Sequence, residues 1–208
     1  MTLSRPQEAE AIFRKGLKEI TRYVDILASR GIEWGLLGPR EADRIWDRHV
    51  LNSTAVLEFI PDGARVADIG SGAGLPGIPI AIARPDVQVT LVESLLRRAD
   101  FLSGVVTELG LDDRVQVVRA RAEDLSGFFE VVTARAVARL PKLIDWTRHL
   151  FVQHGELLAI KGSSVVDEVA DATSALDRDR LLAEVLDVWV PGSAEPTYVV
   201  RVRPRRFT

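Results

Sequence analysis

Apolar and polar positions follow two different periods along this chain, and the change falls near residue 60. Between Pro6 and about Arg30, Ala9, Ile12, Phe13, Leu17, Ile20, Val24 and Leu27 recur at steps of three and four, the pattern of one face of an amphipathic helix. Ser4 ahead of Pro6 reads as a cap with proline in the first turn, and Gly31 ends the helix. A second helix begins near Arg40, carries Ile45, Trp46, His49 and Val50, and runs to Phe59, where Pro61-Asp62-Gly63 turns the chain. Short apolar runs then alternate with helical patterns. The runs predict strands over 65–69, 88–93, 115–118, 129–133, 155–160, 182–190 and 198–202. The helical patterns follow the glycine-rich stretch 70–77 and cover 95–109, 141–151 and 165–180, with one helical turn in the loop 119–127. This order predicts an α/β fold: a doubly wound, mainly parallel, seven-stranded sheet, preceded by an N-terminal α-helical extension. The expected boundaries are 1–60 for the extension and 61–208 for the core, packed as one compact body. The last two strands have no helix between them and must pair antiparallel.

The stretch Ala64 to Ala83 organises the core. It reads as strand, glycine-rich turn and helix start, with Asp68 near the strand's end and Gly70, Gly72, Gly74 and Gly77 within eight positions. One glycine suffices for a tight βα turn. Four let backbone N–H groups approach a nucleotide-like ligand. Two registers compete. Gly72-Ala-Gly74-Leu-Pro-Gly77 matches the dinucleotide fingerprint, and Asp68-Ile-Gly70-Ser-Gly72-Ala-Gly74 matches the start of S-adenosylmethionine methyltransferases. Glu93 ends the second strand, where a carboxylate accepts both ribose hydroxyls in either case. Three features favour the methyl donor: Ala122-Glu123-Asp124 after the third strand, where such enzymes contact adenine; the antiparallel C-terminal pair; and the lack of oxidoreductase residues. Asp68 serves either the ligand or the amides of the glycine loop.

Composition narrows the chemistry. There is no cysteine, which removes disulfides, thiolate metal sites and a cysteine nucleophile. His49, His149 and His154 form no metal-ligand spacing, so no metal site is expected. No apolar run approaches a membrane span and residues 1–10 carry no signal-peptide core, so the expectation is a cytoplasmic protein without membrane contact. After the fourth strand the chain reads Val131-Val-Thr-Ala-Arg-Ala136, not the proline-rich motif of enzymes that methylate exocyclic amines. What remains is an acceptor already nucleophilic, such as a purine N7, for which no general base is needed.

At these residues the chain resembles a known family. Asp68-Ile-Gly-Ser-Gly-Ala-Gly-Leu-Pro-Gly-Ile-Pro79 is similar to the signature block of the bacterial ribosomal small-subunit methyltransferase G family (RsmG, also called GidB). Arg48-His-Val-Leu-Asn-Ser53, Glu93-Ser-Leu-Leu-Arg-Arg98, Arg121-Ala-Glu123, Thr133-Ala-Arg-Ala136 and Lys161-Gly162 follow in the family's order. The resemblance implies methyl transfer from S-adenosylmethionine to N7 of a guanine in 16S rRNA of the small ribosomal subunit; a monomer is expected. It implies a donor pocket using Asp68, Gly70, Gly72, Gly74, Leu75, Glu93, Ala122 and Glu123, with Arg135 beside donor and acceptor and no catalytic base. Arg48 and His49 frame the entrance. Asn52 stands where the family has Asp, and Thr133 where Ser is common.

The formal charge is −3, so RNA contacts must be local. Two groups are expected to supply them: a C-terminal stripe of Arg201, Arg203, Arg205 and Arg206, and Arg97, Arg98, Arg119, Arg121, Arg135, Arg139, Lys142 and Lys161 around the sheet's carboxyl edge. A small-molecule or protein methyltransferase and a silent donor-binding module are the rival readings.

Overall fold

The computed structural model describes residues 3–205. Its seven strands are β1 (Arg65–Ile69), β2 (Gln88–Val92), β3 (Val115–Val118), β4 (Val131–Arg135), β5 (Glu156–Lys161), β6 (Leu181–Val188) and β7 (Thr197–Pro204). They lie in the order β3-β2-β1-β4-β5-β7-β6. The first five are parallel and β7 is antiparallel to both its neighbours, as the missing crossover helix requires. The insertion of β7 between β5 and β6 is not written in any local pattern.

The connecting helices are α3 (Gly77–Ala83), α4 (Leu96–Glu108), α5 (Leu140–Phe151), α6 (Val165–Asp171) and α7 (Thr173–Arg178). The single helix expected over 165–180 is therefore two, broken at Ala172. Ahead of the sheet stand α1 (Glu8–Phe13) and α2 (Leu17–Ile26). The second helix of the extension, 39–59, is wound irregularly, with tight turns over Pro39–Arg44 and Asn52–Phe59 and wide turns over Ile45–Leu51. Hydroxyls compete for its carbonyls: Ser53 Oγ donates to the His49 carbonyl (2.6 Å) and Thr54 Oγ1 to that of Leu51 (2.7 Å). No helix among the described residues is long and apolar enough to cross a membrane.

Strand side chains alternate between two buried faces, so the central strands are apolar on both. Val66, Leu91, Val131 and Leu158 share one core with Phe13, Ile20, Tyr23, Leu27, Ile45, Val50 and Val56 of the extension. Ala67, Ile69, Val132, Ala134 and Ala159 share the other with Leu143, Phe151 and Leu176. Alternation therefore turns Asp68, Thr133 and Arg135 toward the extension. Tyr23 makes the deepest tie across this layer. Its fully buried hydroxyl donates to the carbonyl of Ala73, in the glycine loop, at 2.8 Å.

Tyr23→Phe removes that donor and leaves a buried carbonyl without it. We expect a loss of about 1–2 kcal/mol of stability, measured by urea unfolding, and weaker donor binding by calorimetry. A variant as stable as the native protein would show that the bond carries no weight.

Candidate functional site

Two cavities open along the sheet's carboxyl edge and share one wall residue, Val137. The smaller, about 290 Å³, lies over the ends of β1 to β3. Its walls are largely apolar, from Ile69, Val92, Ala120, Ala122, Val137 and Trp146, with Gly70, Ser94, Arg121 and Glu123 completing the lining. Gly70 has φ +65°, and a Cβ there would lie 2.8 Å from a Val137 methyl carbon. The chain can make this close approach only with glycine. The larger cavity, about 600 Å³, is lined by Glu41, Arg48, His49 and Asn52 of the extension, by Arg135 to Arg139, and by Lys161, Gly162 and Glu168.

The site residues expected from sequence divide between these walls and the layer behind them. Gly70, Ala122 and Glu123 line the smaller cavity, and Arg135 lines the larger. Glu93 is buried against the glycine loop and lines neither cavity. One carboxylate oxygen accepts from Gly72 N–H (3.1 Å) and the other from Leu95 N–H (2.9 Å), which leaves each oxygen a lone pair for a further donor. Gly72 and Gly74 take positive φ and shape the loop. Leu75 is buried beside it. Asp68 lines neither cavity. It is fully buried under the extension and accepts from Gly77 N–H at 3.0 Å, while its second oxygen has no partner. Of its two sequence readings, the bond observed is the one to the loop. Burial raises its pKa to about 7, against the pull of the Gly77 amide, the Ser71 hydroxyl and Arg135.

Arg135 reaches from the end of β4 into the extension. Nη1 donates to the carbonyls of Arg48 and His49, each at 3.3 Å, and Nη2 lies 3.2 Å from His49 Nδ1. Burial pulls its pKa down, while Tyr23 and Asp68 beneath it act in the opposite sense. A guanidinium can only donate, so His49 Nδ1 is the acceptor and the imidazole proton sits on Nε2, which donates to Glu41 at 2.9 Å. Burial and then Arg135 lower the His49 pKa, which keeps the ring neutral at pH 7. Asn52 ties the extension to β7 through Thr197 Oγ1 at 2.8 Å, a bond the amide donates and an Asp could only accept. Lys161 is buried, with Nζ donating to the Ala138 carbonyl (2.7 Å) and Glu168 (2.8 Å). His149 is a structural histidine, its Nε2 2.9 Å from the Leu125 carbonyl. Among the described residues no group of three His, Asp or Glu side chains could hold a metal ion.

The two basic groups part company. Arg201 pairs with Glu156, Arg203 with Glu184 and Arg205 with Asp177, while Arg206 lies outside the described residues. Because β7 runs antiparallel to β5, with Tyr198 opposite Lys161 and Val202 opposite Leu157, Arg203 and Arg205 stand at the sheet edge away from the cavities. At the carboxyl edge Arg139 pairs with Asp171 and Lys161 with Glu168. Arg98, Arg119 and Arg121 are exposed and have no carboxylate partner among the described residues. Sequence reasoning did not find Glu41, Val137, Trp146 or the Tyr23 tie. Their only signals are tertiary.

A seven-stranded sheet in this order, with a glycine-rich loop and a slot at its carboxyl edge, defines the class I methyltransferase fold. An S-adenosylmethionine-dependent O-methyltransferase from Thermotoga maritima shares it, with a TM-score of 0.52 at 16% identity over 76% of this chain and 66% of that one. The chain belongs to the rRNA small subunit methyltransferase G family, GidB, whose model matches residues 16–188. Among curated relatives, Ribosomal RNA small subunit methyltransferase G of Mycolicibacterium smegmatis is 54% identical over 171 residues, covering 80% of this chain and 72% of the relative. That of Kineococcus radiotolerans is 51% identical over 202 residues, covering 95% and 79%.

Proposed function

We propose that this enzyme transfers the methyl group of S-adenosylmethionine to N7 of a guanine in 16S rRNA of the small ribosomal subunit, in the cytoplasm. The observation that carries the reading is the pair of cavities meeting at Val137. One is a narrow apolar slot under a glycine loop, and the other is wider and edged by polar side chains. The slot fits the adenosyl group: Ala122 and Glu123 flank the base, the free lone pairs of Glu93 accept the ribose hydroxyls, and the loop Gly70 to Gly74, with Leu75 behind it, admits the methionine part. When bound, the donor supplies an electrophilic sulfonium methyl. The larger cavity has room for a nucleoside, and Arg135 lines it.

The side chains around that cavity hold no free base. His49 spends its lone pair on Arg135 and its proton on Glu41, and Lys161 is held by Glu168. Purine N7 carries a lone pair and no proton, so the enzyme's task is to align it and exclude water. Exposed Arg98, Arg119 and Arg121, with Arg97 over Trp34 and Lys142 over Trp146, are cations available to phosphates on the donor side of the edge.

The test is transfer of labelled methyl to small subunits lacking the modification, mapped by cleavage at 7-methylguanine. Incorporation at one guanine of 16S rRNA is the expected result. Label found only in protein or in small molecules, or none at all, would remove the proposal.

A further inference from the structure

We infer that Glu41 is a positioning residue for methyl transfer: by holding the His49 proton on Nε2 it keeps Nδ1 open to Arg135, and so sets the guanidinium in the wall of the larger cavity. The inference rests on the reaction proposed above and assigns a role to a residue that no motif marks.

The geometry is a chain of three side chains from three segments. Glu41 comes from the turn Pro39–Arg44, His49 from the wide-turned segment Ile45–Leu51, and Arg135 from the end of β4. Glu41 Oε2 lies 2.9 Å from His49 Nε2, and Oε1 accepts from Arg48 at 3.2 Å. His49 Nδ1 lies 3.2 Å from Arg135 Nη2. Neutral imidazole has one donor and one acceptor, and which is which is decided by the partner of the other nitrogen. A carboxylate on Nε2 requires a proton there. Without the carboxylate only the 3.2 Å contact with Arg135 still favours that tautomer and nothing holds the ring's far nitrogen, so the ring can turn and carry its proton part of the time on Nδ1, where it would point an N–H at an arginine N–H. Arg135 would then lose that acceptor and keep only the two 3.3 Å carbonyl bonds of Nη1. Those bonds alone allow the guanidinium plane to tilt, and a displacement of about 1 Å near the reacting atoms costs up to roughly a hundredfold in rate. Glu41 belongs to the wall of the larger cavity and not to the donor slot, so its effect should fall on the acceptor side.

The experiment compares the whole chain with Glu41→Ala and Glu41→Gln. Long-range proton–nitrogen NMR on protein labelled in the histidine rings reads the tautomer of His49 without any substrate. The native protein and Glu41→Gln, whose amide oxygen still accepts the Nε2 proton, should show Nε2–H. Glu41→Ala should show a mixture of Nε2–H and Nδ1–H. In steady-state assays on small subunits, Glu41→Ala should lose about tenfold or more in kcat/KM, Glu41→Gln should recover most of it, and calorimetric affinity for S-adenosylmethionine should change by less than about threefold. Glu41→Ala retaining Nε2–H, or Glu41→Gln falling as far as Glu41→Ala, would overturn the inference. Failure of the broader functional reading is seen separately: the native protein itself would not methylate small subunits, while the tautomer measurement would still report on the chain of contacts.

Discussion

Gly72→Asp should abolish useful donor binding while leaving the protein folded. Gly72 has φ +58°, a conformation that Asp tolerates better than most residues, and a Cβ built there meets only the Gly70 carbonyl oxygen at 3.7 Å. The backbone therefore accommodates the side chain at a cost of about 1 kcal/mol. The site does not. Gly72 N–H is 3.1 Å from a Glu93 carboxylate oxygen, so the new carboxylate enters the space beside an existing one, at the mouth of the loop where the donor must pass. Like charges in a half-buried site repel, and the added bulk fills the loop. The expected loss is at least a hundredfold in donor affinity, about 3 kcal/mol, by calorimetry, beside a small change in unfolding temperature. Gly72→Ala serves as the control for backbone strain alone. Donor affinity of Gly72→Asp within fivefold of native would show that the loop does not hold the donor as proposed.

The second result concerns pH. Asp68 should make the native protein less stable as pH rises from about 4 to 7, and Asp68→Asn should remove that loss. Its folded-state pKa is raised from 3.8 to about 7, so below 4 both folded and unfolded chains hold the proton and the contribution is intact. Between 4 and 7 the unfolded chain releases the proton while the folded one keeps it, which costs roughly 1.4 kcal/mol per pH unit. Above 7 the loss is complete, on the order of 4 kcal/mol. Asn at 68 keeps the oxygen that accepts from Gly77 and cannot ionise. The carboxylates of Glu41, held down first by the His49 N–H bond, and of Asp86, Glu130 and Glu168, held below their ordinary range by cationic and amide partners, act in the opposite sense near pH 4. The informative quantity is thus the difference between variant and native protein. Urea unfolding at pH 5 and pH 8 should show Asp68→Asn gaining on the native protein at the higher pH. A difference independent of pH would refute the burial cost assigned to Asp68.

Much of the frame was legible because it rests on local rules. The central strands β1, β4 and β5 read as apolar runs since both their faces are covered, and the antiparallel C-terminal pair followed from the length of its connection. Strand ends moved by one or two residues, which brought Arg135 from just past β4 to its last position. The extension was found by its helical period, but its irregular winding was not, because hydroxyl side chains and packing against the sheet decide it. The pairing of the C-terminal arginines was not legible. Arginine counts say nothing about which carboxylates fold back against them, or at which end of an antiparallel strand they emerge.

The sequence by itself determined the alternating βα order, the glycine loop with Asp68 ahead of it, the absence of thiol chemistry, and the acidic residue, Glu93, that follows β2. These are consequences of spacing, backbone freedom and residue type, all carried within a few neighbours along the chain. Tertiary structure alone decided that β7 lies between β5 and β6 and that Asp68 turns away from the cavities into the extension. It also joined two cavities at Val137 and brought Glu41, His49 and Arg135 into one chain of contacts. Each of these depends on which faces meet when the extension closes over the sheet, and residues 86 positions apart carry no mark of that meeting along the chain.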